Sequence, residues 1–290
     1  MTTPVTTPVT TLAASKRSSW IANLLRLPDR MRGKQRVSRA LIRQLLDPSA
    51  PRWVTGDFGC RYHLPNLTEQ VAFEIFINGI VEPETVAFID AQLSRGSWLL
   101  DIGANIGGIS VPLAVQRPDL RCVCVEASPM VFRHLQDNIR GNGLQDRIQP
   151  HHVALSNQAS ETIQFYAPSD EFGKGSMSPC FTAVATQVPN MSLQRFVESL
   201  PARPELIKID VEGYERQVFE SGAHYLRAER PGIVLEFCDW AEQHAGNAPG
   251  DAQRLLLDLG YQLVRMEAPQ SVLQAPITEG FAMLLARRPS

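Results

Sequence analysis

Two segments of the chain, about a hundred residues apart, each join an apolar run to an acidic residue and a glycine turn. Residues 98–108 read WLLDIGANIGG, and residues 206–215 read LIKIDVEGYE. Each segment is typical of a buried strand that leads through a turn into a helix. Open α/β sheets bind small-molecule cofactors at the carboxyl ends of their strands. We therefore expect a doubly wound α/β fold with a cofactor site at these turns.

The first segment predicts a tight nucleotide-binding turn. Asp101 ends the strand, and Gly103 allows a sharp backbone turn where a side chain would collide with a ligand. Gly107 opens the following helix. The next strand, residues 121–125, brings Glu126 to a position about twenty residues after the glycine turn. An acidic residue at that position accepts the ribose hydroxyls of an adenine nucleoside, so the spacing predicts a nucleoside-bearing cofactor.

The pattern differs from a dinucleotide fingerprint in its glycines and its charge. It reads G-x-N-x-G-G rather than G-x-G-x-x-G, and Asp101 precedes the first glycine. That carboxylate would repel a pyrophosphate. S-adenosylmethionine has no phosphate, its ammonium and sulfonium cations suit a carboxylate, and its ribose suits Glu126. We predict S-adenosylmethionine as the cofactor, with NAD and a turn that binds nothing as the alternatives.

Four blocks of the chain resemble the FkbM family of S-adenosylmethionine-dependent methyltransferases. They are residues 101–107, 126–129, 138–144 and, as the most specific block, 208–215 with the sequence KIDVEGYE. The resemblance runs from about Glu82 to Trp240. It implies methyl transfer, mostly to hydroxyls of sugars or other polyhydroxylated metabolites, and leaves the acceptor open. It also implies that the acidic-proline junction at Glu82 lies near the cofactor.

The order of elements and the resemblance together predict a class I methyltransferase fold. This is a Rossmann-like, doubly wound, seven-stranded sheet with an antiparallel last strand, and the closing strands are expected over 261–266 and 281–286. Residues 96–290 form the expected S-adenosylmethionine-binding domain, and residues 51–95 a lead-in hairpin and helices. Residues 1–50 are expected to run from disorder into a basic helical arm.

The strand ends supply the candidate site residues. Asp210, Glu212 and Glu236 are the candidate catalytic carboxylates, because a hydroxyl acceptor must lose a proton to a base. Fold analogy places Ala154 near the adenine, and residues 170–179 are a candidate loop over the acceptor pocket. The expected cofactor contacts are Glu82, Asp101, Gly103, Asn105, Gly107, Glu126, Ala127, Ala154 and Asp210. No metal ligand set is predicted, and Mg²⁺ on the acidic patch is an alternative that is not favoured.

Cysteine spacing and charge bound the environment of the protein. The five cysteines include no C-x-x-C pair, which favours a reducing, cytoplasmic compartment. Residues 1–46 carry a net charge of +8 and the remainder −10, within a total of −2. The basic arm therefore either packs on its own acidic domain, which is preferred, or makes peripheral contact with an anionic membrane. We expect a small-molecule or glycan acceptor and no nucleic acid. A non-catalytic S-adenosylmethionine-binding or interaction protein is the alternative function.

Overall fold

The protein is described by a computed structural model over residues 19–26, 33–168, 173–179 and 182–289. Its helices are residues 19–26 (α1), Lys34–Leu45 (α2), Gln70–Asn78 (α3), Pro83–Gln92 (α4), Ser110–Gln116 (α5), Pro129–Gly141 (α6), Leu193–Ser199 (α7), Glu215–Ser221 (α8), Ala223–Glu229 (α9), Asp239–His244 (α10) and Asp251–Asp258 (α11). Its strands are Arg52–Thr55 (β1), Arg61–Leu64 (β2), Trp98–Ile102 (β3), Arg121–Glu126 (β4), Ile148–His152 (β5), Ala154–Leu155 (β6), Thr162–Tyr166 (β7), Ala185–Met191 (β8), Leu206–Ile209 (β9), Gly232–Cys238 (β10), Gln262–Arg265 (β11), Ala268–Val272 (β12) and Phe281–Arg287 (β13).

The central sheet has the strand order β12-β11-β13-β10-β9-β3-β4-β5. Strands β10, β9, β3, β4 and β5 pair in parallel, and β13 lies antiparallel between β10 and β11. This is the class I methyltransferase arrangement, so the predicted fold class is confirmed. The strand count differs, because β12 adds an eighth strand through an irregular pairing with β11. Its sequence, APQSV, contains a proline and little apolar alternation, which is tolerated at a sheet edge.

The core lies on both faces of this sheet. Successive side chains of a strand point to opposite faces, and a layer of helices covers each face. In β3, Leu99 packs with the layer that contains the hairpin and helices α3 to α6, while Leu100 packs with the layer of α7 to α9 and α11. Cys122 and Cys124 of β4 lie on the first face, fully buried with free thiols. Because helices cover both faces, side chains on either side of these parallel strands are buried, and the strands are apolar at nearly every position.

A second, three-stranded sheet with the order β6-β8-β7 flanks the site end of the fold. Its strands β7 and β8 pair antiparallel. Strand β8 was not predicted, because Pro189 interrupts a run that is otherwise typical of a strand. Phe165 on β7 is buried and lines the cleft described below, so this small sheet forms one wall of that cleft.

The described part of the basic arm packs on the lead-in segment. Ile21 and Leu25 of α1 are buried, and the Arg26 guanidinium donates hydrogen bonds to the carbonyl oxygens of Thr55 and Ile75 at 2.6 and 3.0 Å. In α2, the Arg39 guanidinium lies 3.9 Å from the ring centroid of Phe73. Residues 1–18, where disorder is expected, lie outside the described residues. None of the helices seen here has the length and apolar character needed to cross a bilayer.

Candidate active site

A cleft opens where β3, β4 and β9 end, as the doubly wound topology requires. It encloses about 560 Å³ of space between the atoms, part of it open to solvent. Its walls come from the turns after these strands, from β6, and from β7 with the loop that follows it. The lining includes seven predicted site residues, namely Gly103, Asn105, Glu126, Ala127, Ala154, Asp210 and Glu212.

The turn after β3 is shaped by its neighbour on β9. Gly103 has φ 76°, and a Cβ atom there would collide with the carbonyl oxygen of Asp210. The glycine is therefore required by the adjacent chain as well as by the tight turn that the sequence predicted. Asn105 also adopts a left-handed conformation, with φ 52°. A non-glycine residue held at positive φ is a strain that often marks a functional site.

Gly107 lies away from the cleft. Its φ is 87°, and an added Cβ would stand 2.8 Å from Val111 and 3.1 Å from Leu135, both in the core. Gly107 therefore allows the helical layer to approach the turn closely, and it is not among the cleft-lining residues.

Glu126 stands at the end of β4 with both carboxylate oxygens held by backbone donors. The Asn105 N–H donates to Oε2 at 2.9 Å, and the Ser128 N–H donates to Oε1 at 2.7 Å. Burial raises the pKa of Glu126 to about 7, although these two hydrogen bonds oppose the shift. The carboxylate is thus fixed in the cleft, and each oxygen retains a lone pair for a further donor.

Asp101 is buried beneath the cleft and does not line it. Its Oδ2 accepts a hydrogen bond of 2.5 Å from the Ser110 hydroxyl, and its Oδ1 lies 3.7 Å from Lys208 Nζ. Burial raises the pKa of Asp101, against the effect of Lys208. The sequence placed this carboxylate at the strand end correctly but did not predict that a lysine of the neighbouring strand covers it.

Lys208 is a site residue to which the sequence analysis assigned no role. Its Nζ lies 3.2 Å from the Gly103 carbonyl oxygen and 3.4 Å from Asp210 Oδ2. Burial alone would lower its pKa, but the carboxylates of Asp210 and Asp101 outweigh burial, so the pKa is raised well above its ordinary value. The available signal was a single lysine within the apolar strand LIKI.

The turn after β9 brings Asp210 and Glu212 to the same cleft. The strand ends at Ile209, and Glu212 has φ 53°, so the two side chains converge through a strained turn. Both residues, predicted as candidate catalytic carboxylates, thus line one cleft. Glu215 braces the turn, since its Oε1 accepts a hydrogen bond of 3.0 Å from the Val211 N–H.

A second depression, the acidic groove, adjoins this turn. It holds about 700 Å³ of largely open space, and its lining includes Glu74, Glu82, Glu84, Glu236, Met283 and the exposed ring of Phe281. Burial, then the charges of Asp210, Glu212 and Glu82, raise the pKa of Glu236 to about 9. Burial and the charge of Asp210 raise the pKa of Glu212 to about 8. The carboxylates of the cleft and of the groove therefore lie close enough to act on one another.

Glu82 lies in the acidic groove and not in the cleft where cofactor contact was expected. It precedes Pro83 with φ 47°, a third strained non-glycine residue at this end of the fold. Burial raises its pKa, an effect that Lys208 opposes and Asp210 supports. Glu82 directly precedes α4, and this place in the fold brings its carboxylate within range of the charge of Asp210.

Comparison with known proteins finds a matching family model and relatives that match part of the chain. The family model described as the methyltransferase FkbM domain matches residues 101–263, more than half of the chain. The chain is 34% identical over 71 residues to a cobalt-precorrin-6B C(15)-methyltransferase (decarboxylating) from Salmonella typhimurium, covering 22% of this chain and 37% of that enzyme. It is 26% identical over 152 residues to ribosomal RNA small subunit methyltransferase G from Sorangium cellulosum, covering 52% and 56%. The chain thus spans between about a third and a little over half of these relatives.

Solved structures that match part of the chain include two methyltransferases. A methyltransferase FkbM from Methylobacillus flagellatus KT matches with a TM-score of 0.46 and 15% identity, over 73% of this chain and 52% of that chain. A TehB-like SAM-dependent methyltransferase from Corynebacterium glutamicum matches with a TM-score of 0.44 and 14% identity, over 74% and 94%. The extent of the family match decides the assignment: the chain belongs to the FkbM methyltransferase family.

Proposed function

We propose that the protein is an S-adenosylmethionine-dependent O-methyltransferase that acts on a neutral, polyhydroxylated acceptor such as a sugar or glycan. The observation that carries this proposal is the position of the Asp210–Glu212 turn. It lines the cleft at the strand ends, and its charges act on Glu82 and Glu236 in the acidic groove. A cofactor in the cleft and an acceptor in the groove would meet at this turn.

The residues of the cleft fit S-adenosylmethionine. Glu126 offers fixed carboxylate oxygens to ribose hydroxyls, and Ala154 and Leu155 offer an apolar surface to the adenine. Asp210 offers negative charge to the cationic end of the molecule. We assign Asp101 and Gly107, which lie outside the cleft lining, to positioning of the turn. The same acidic strand ends would repel the pyrophosphate of NAD.

The acidic groove supports a neutral acceptor with hydroxyl groups. Ionised carboxylates accept hydrogen bonds from hydroxyls, and the exposed ring of Phe281 offers an apolar platform. A phosphate-rich acceptor such as RNA would meet like charges at Glu74 and Glu84, without a basic side chain in the groove lining. For this reason we prefer a sugar-like acceptor to the nucleic acid named for the Sorangium relative.

The chemistry follows from position and proton removal. S-adenosylmethionine, when bound, supplies a methyl group that is already activated by its sulfonium charge. Glu212 and Glu236, whose pKa values are raised to about 8 and about 9, are suited to accept the proton of an acceptor hydroxyl. Lys208 holds the Asp210 carboxylate from below through its 3.4 Å contact. Alignment of the acceptor oxygen is expected to supply the larger part of the rate. Mg²⁺ on this acidic patch remains the less favoured alternative.

Methyl transfer to a panel of acceptors tests the proposal. The purified chain is incubated with methyl-labelled S-adenosylmethionine and, in separate reactions, neutral glycosides, a precorrin and a ribosomal RNA hairpin. Fully O-methylated glycosides are the matched control, since they keep the shape and lack the hydroxyls. We expect label only in glycosides with free hydroxyls. Label in RNA or in the precorrin would contradict the acceptor class, and cofactor binding without transfer to any acceptor would favour the non-catalytic alternative.

A further inference from the structure

Three potential metal ligands converge on the side of α6 that faces the β1–β2 hairpin. His63 lies on β2, and His134 and Asp137 lie one helical turn apart on α6. One donor atom from each residue lies within 4.8 Å of the others. The contact between His63 Nδ1 and Asp137 Oδ2 is 3.1 Å. Donors around a tetrahedral zinc ion stand about 3.4 Å apart, so only small side-chain movements are needed to close the set.

The surroundings hold these donors in place. The Trp53 ring stacks on His63 with centroids 5.0 Å apart, and Arg140 contacts Oδ1 of Asp137, so that Oδ2 is left towards His63. His134 Nδ1 is buried without a hydrogen-bond partner, and such orphaned polar atoms are rare in folded proteins.

The cluster is linked to the turn of the candidate active site through one asparagine. The backbone N–H of His63 donates to Asn138 Oδ1 at 2.5 Å, and Asn138 Nδ2 donates to the Ile106 carbonyl oxygen at 2.7 Å. Ile106 follows Asn105, which lines the cleft. An ion that joins β2 to α6 would therefore stabilise the contact between the lead-in hairpin and the turn after β3.

We propose that His63, His134 and Asp137 bind a divalent transition-metal ion, with Zn²⁺ favoured by two imidazole nitrogens and one carboxylate oxygen. Three protein ligands leave a fourth position to water. None of these residues lines the cleft or the acidic groove, so the site is separate from the proposed methyl transfer. Its role is to fasten the hairpin to the cofactor-binding domain.

Titration of the metal-free full chain tests this site. After treatment with a chelator, the protein is titrated with Zn²⁺ by calorimetry and with Co²⁺ by visible absorption. We expect saturable binding of a single ion, Co²⁺ bands of nitrogen and oxygen ligation, and a higher unfolding temperature with Zn²⁺. Asp137→Asn, which is nearly isosteric, and His134→Ala should each weaken Zn²⁺ binding by at least about tenfold.

His224→Ala is the matched control, because His224 is exposed on α9. It should leave the affinity for Zn²⁺ unchanged. Circular dichroism establishes that each variant is folded, and Asp137→Asn keeps the test decisive if His134→Ala does not fold. Absence of saturable binding, equal affinity in folded Asp137→Asn, or a thiolate charge-transfer band with Co²⁺ would each overturn the proposal.

Discussion

Lys208 Nζ lies 3.7 Å from Asp101 Oδ1 across neighbouring strands, and both side chains are buried. The pair joins the two segments that define the candidate active site. Asp101 begins the turn after β3, and Lys208 supports the turn after β9 through its contact with Asp210. An ion pair without access to water requires both members, because a single buried charge is not compensated.

The first prediction concerns loss of this lysine. Lys208→Met should lower the free energy of unfolding by about 3–5 kcal/mol, because it leaves the Asp101 carboxylate buried without its cation. Urea denaturation measures the change. The double variant Lys208→Met with Asp101→Asn should be less destabilised than the single variant. Arg265→Met, which breaks an exposed pair with Glu267, should cost at most about 1 kcal/mol. A similarly small decrease in the free energy of unfolding for Lys208→Met would contradict a stabilising role for the buried pair.

The second prediction assigns the base. Asp210→Asn, Glu212→Gln and Glu236→Gln are near-isosteric, and we expect loss of the base to lower turnover by about 10²–10⁴-fold. Cofactor binding should be retained in Glu212→Gln and Glu236→Gln and weakened in Asp210→Asn, whose charge faces the cationic end of the cofactor. The wild-type rate should rise between about pH 7 and pH 9, since a base acts in its deprotonated form and the pKa values of Glu212 and Glu236 are raised to about 8 and about 9. The variant that lacks the base should lose this rise. Full activity in all three variants would mean that alignment alone carries the reaction.

The third prediction concerns stability against pH. Because the pKa values of Glu212 and Glu236 are higher in the folded protein than the ordinary value of 4.5, the folded state binds more protons than the unfolded state above that value. The unfolding temperature of the protein without cofactor should therefore fall from about pH 7 to about pH 9. Glu236→Gln should flatten the decline, whereas the exposed Glu84→Gln should follow the wild type. An unfolding temperature that rises with pH would contradict the assignment.

The fourth prediction concerns the basic arm. Ile21 of α1 is 2% exposed and Trp20 is 66% exposed. Ile21→Ala should reduce stability by about 2–5 kcal/mol, and Trp20→Ala by no more than about 0.5 kcal/mol. Removal of residues 1–46 should therefore destabilise the protein, because the described helices pack on the lead-in segment. Peripheral membrane contact, which remains a proposal, is better tested with Trp20→Ala on anionic vesicles. Equal stability of both variants would contradict the packing of α1.

Strand ends were the part of the site that local patterns predict well. Apolar runs that stop at an acidic residue placed Glu126, Asp210 and Glu212 at the cleft. The shape of each turn was less accessible, because it depends on chain that is distant in sequence. Gly103 is constrained by the carbonyl oxygen of Asp210, and the convergence of Asp210 and Glu212 depends on a left-handed residue.

The features that the sequence analysis did not predict lack a clear local pattern. Strand β8 contains Pro189 and β12 lies at a sheet edge, so neither shows the alternation on which a strand prediction depends. The sequence shows that Lys208 lies in an apolar strand. Its role could not be predicted because it depends on an ion pair and a carbonyl contact with the neighbouring strand, about a hundred residues earlier in the chain. The three proposed metal ligands combine a hairpin residue with two residues of a helix more than sixty residues later. No local sequence pattern spans that separation.

Isothermal titration of the purified chain with S-adenosylmethionine, and separately with NAD, tests the cofactor assignment most directly. We expect S-adenosylmethionine to bind and NAD not to bind. Glu126→Gln should weaken binding of S-adenosylmethionine by about 1.5–3 kcal/mol, the value of hydrogen bonds to a charged group. Glu84→Gln, in the acidic groove, is the matched control and should bind like the wild type. Equal affinity of the wild type and Glu126→Gln, or binding of NAD in place of S-adenosylmethionine, would contradict the account.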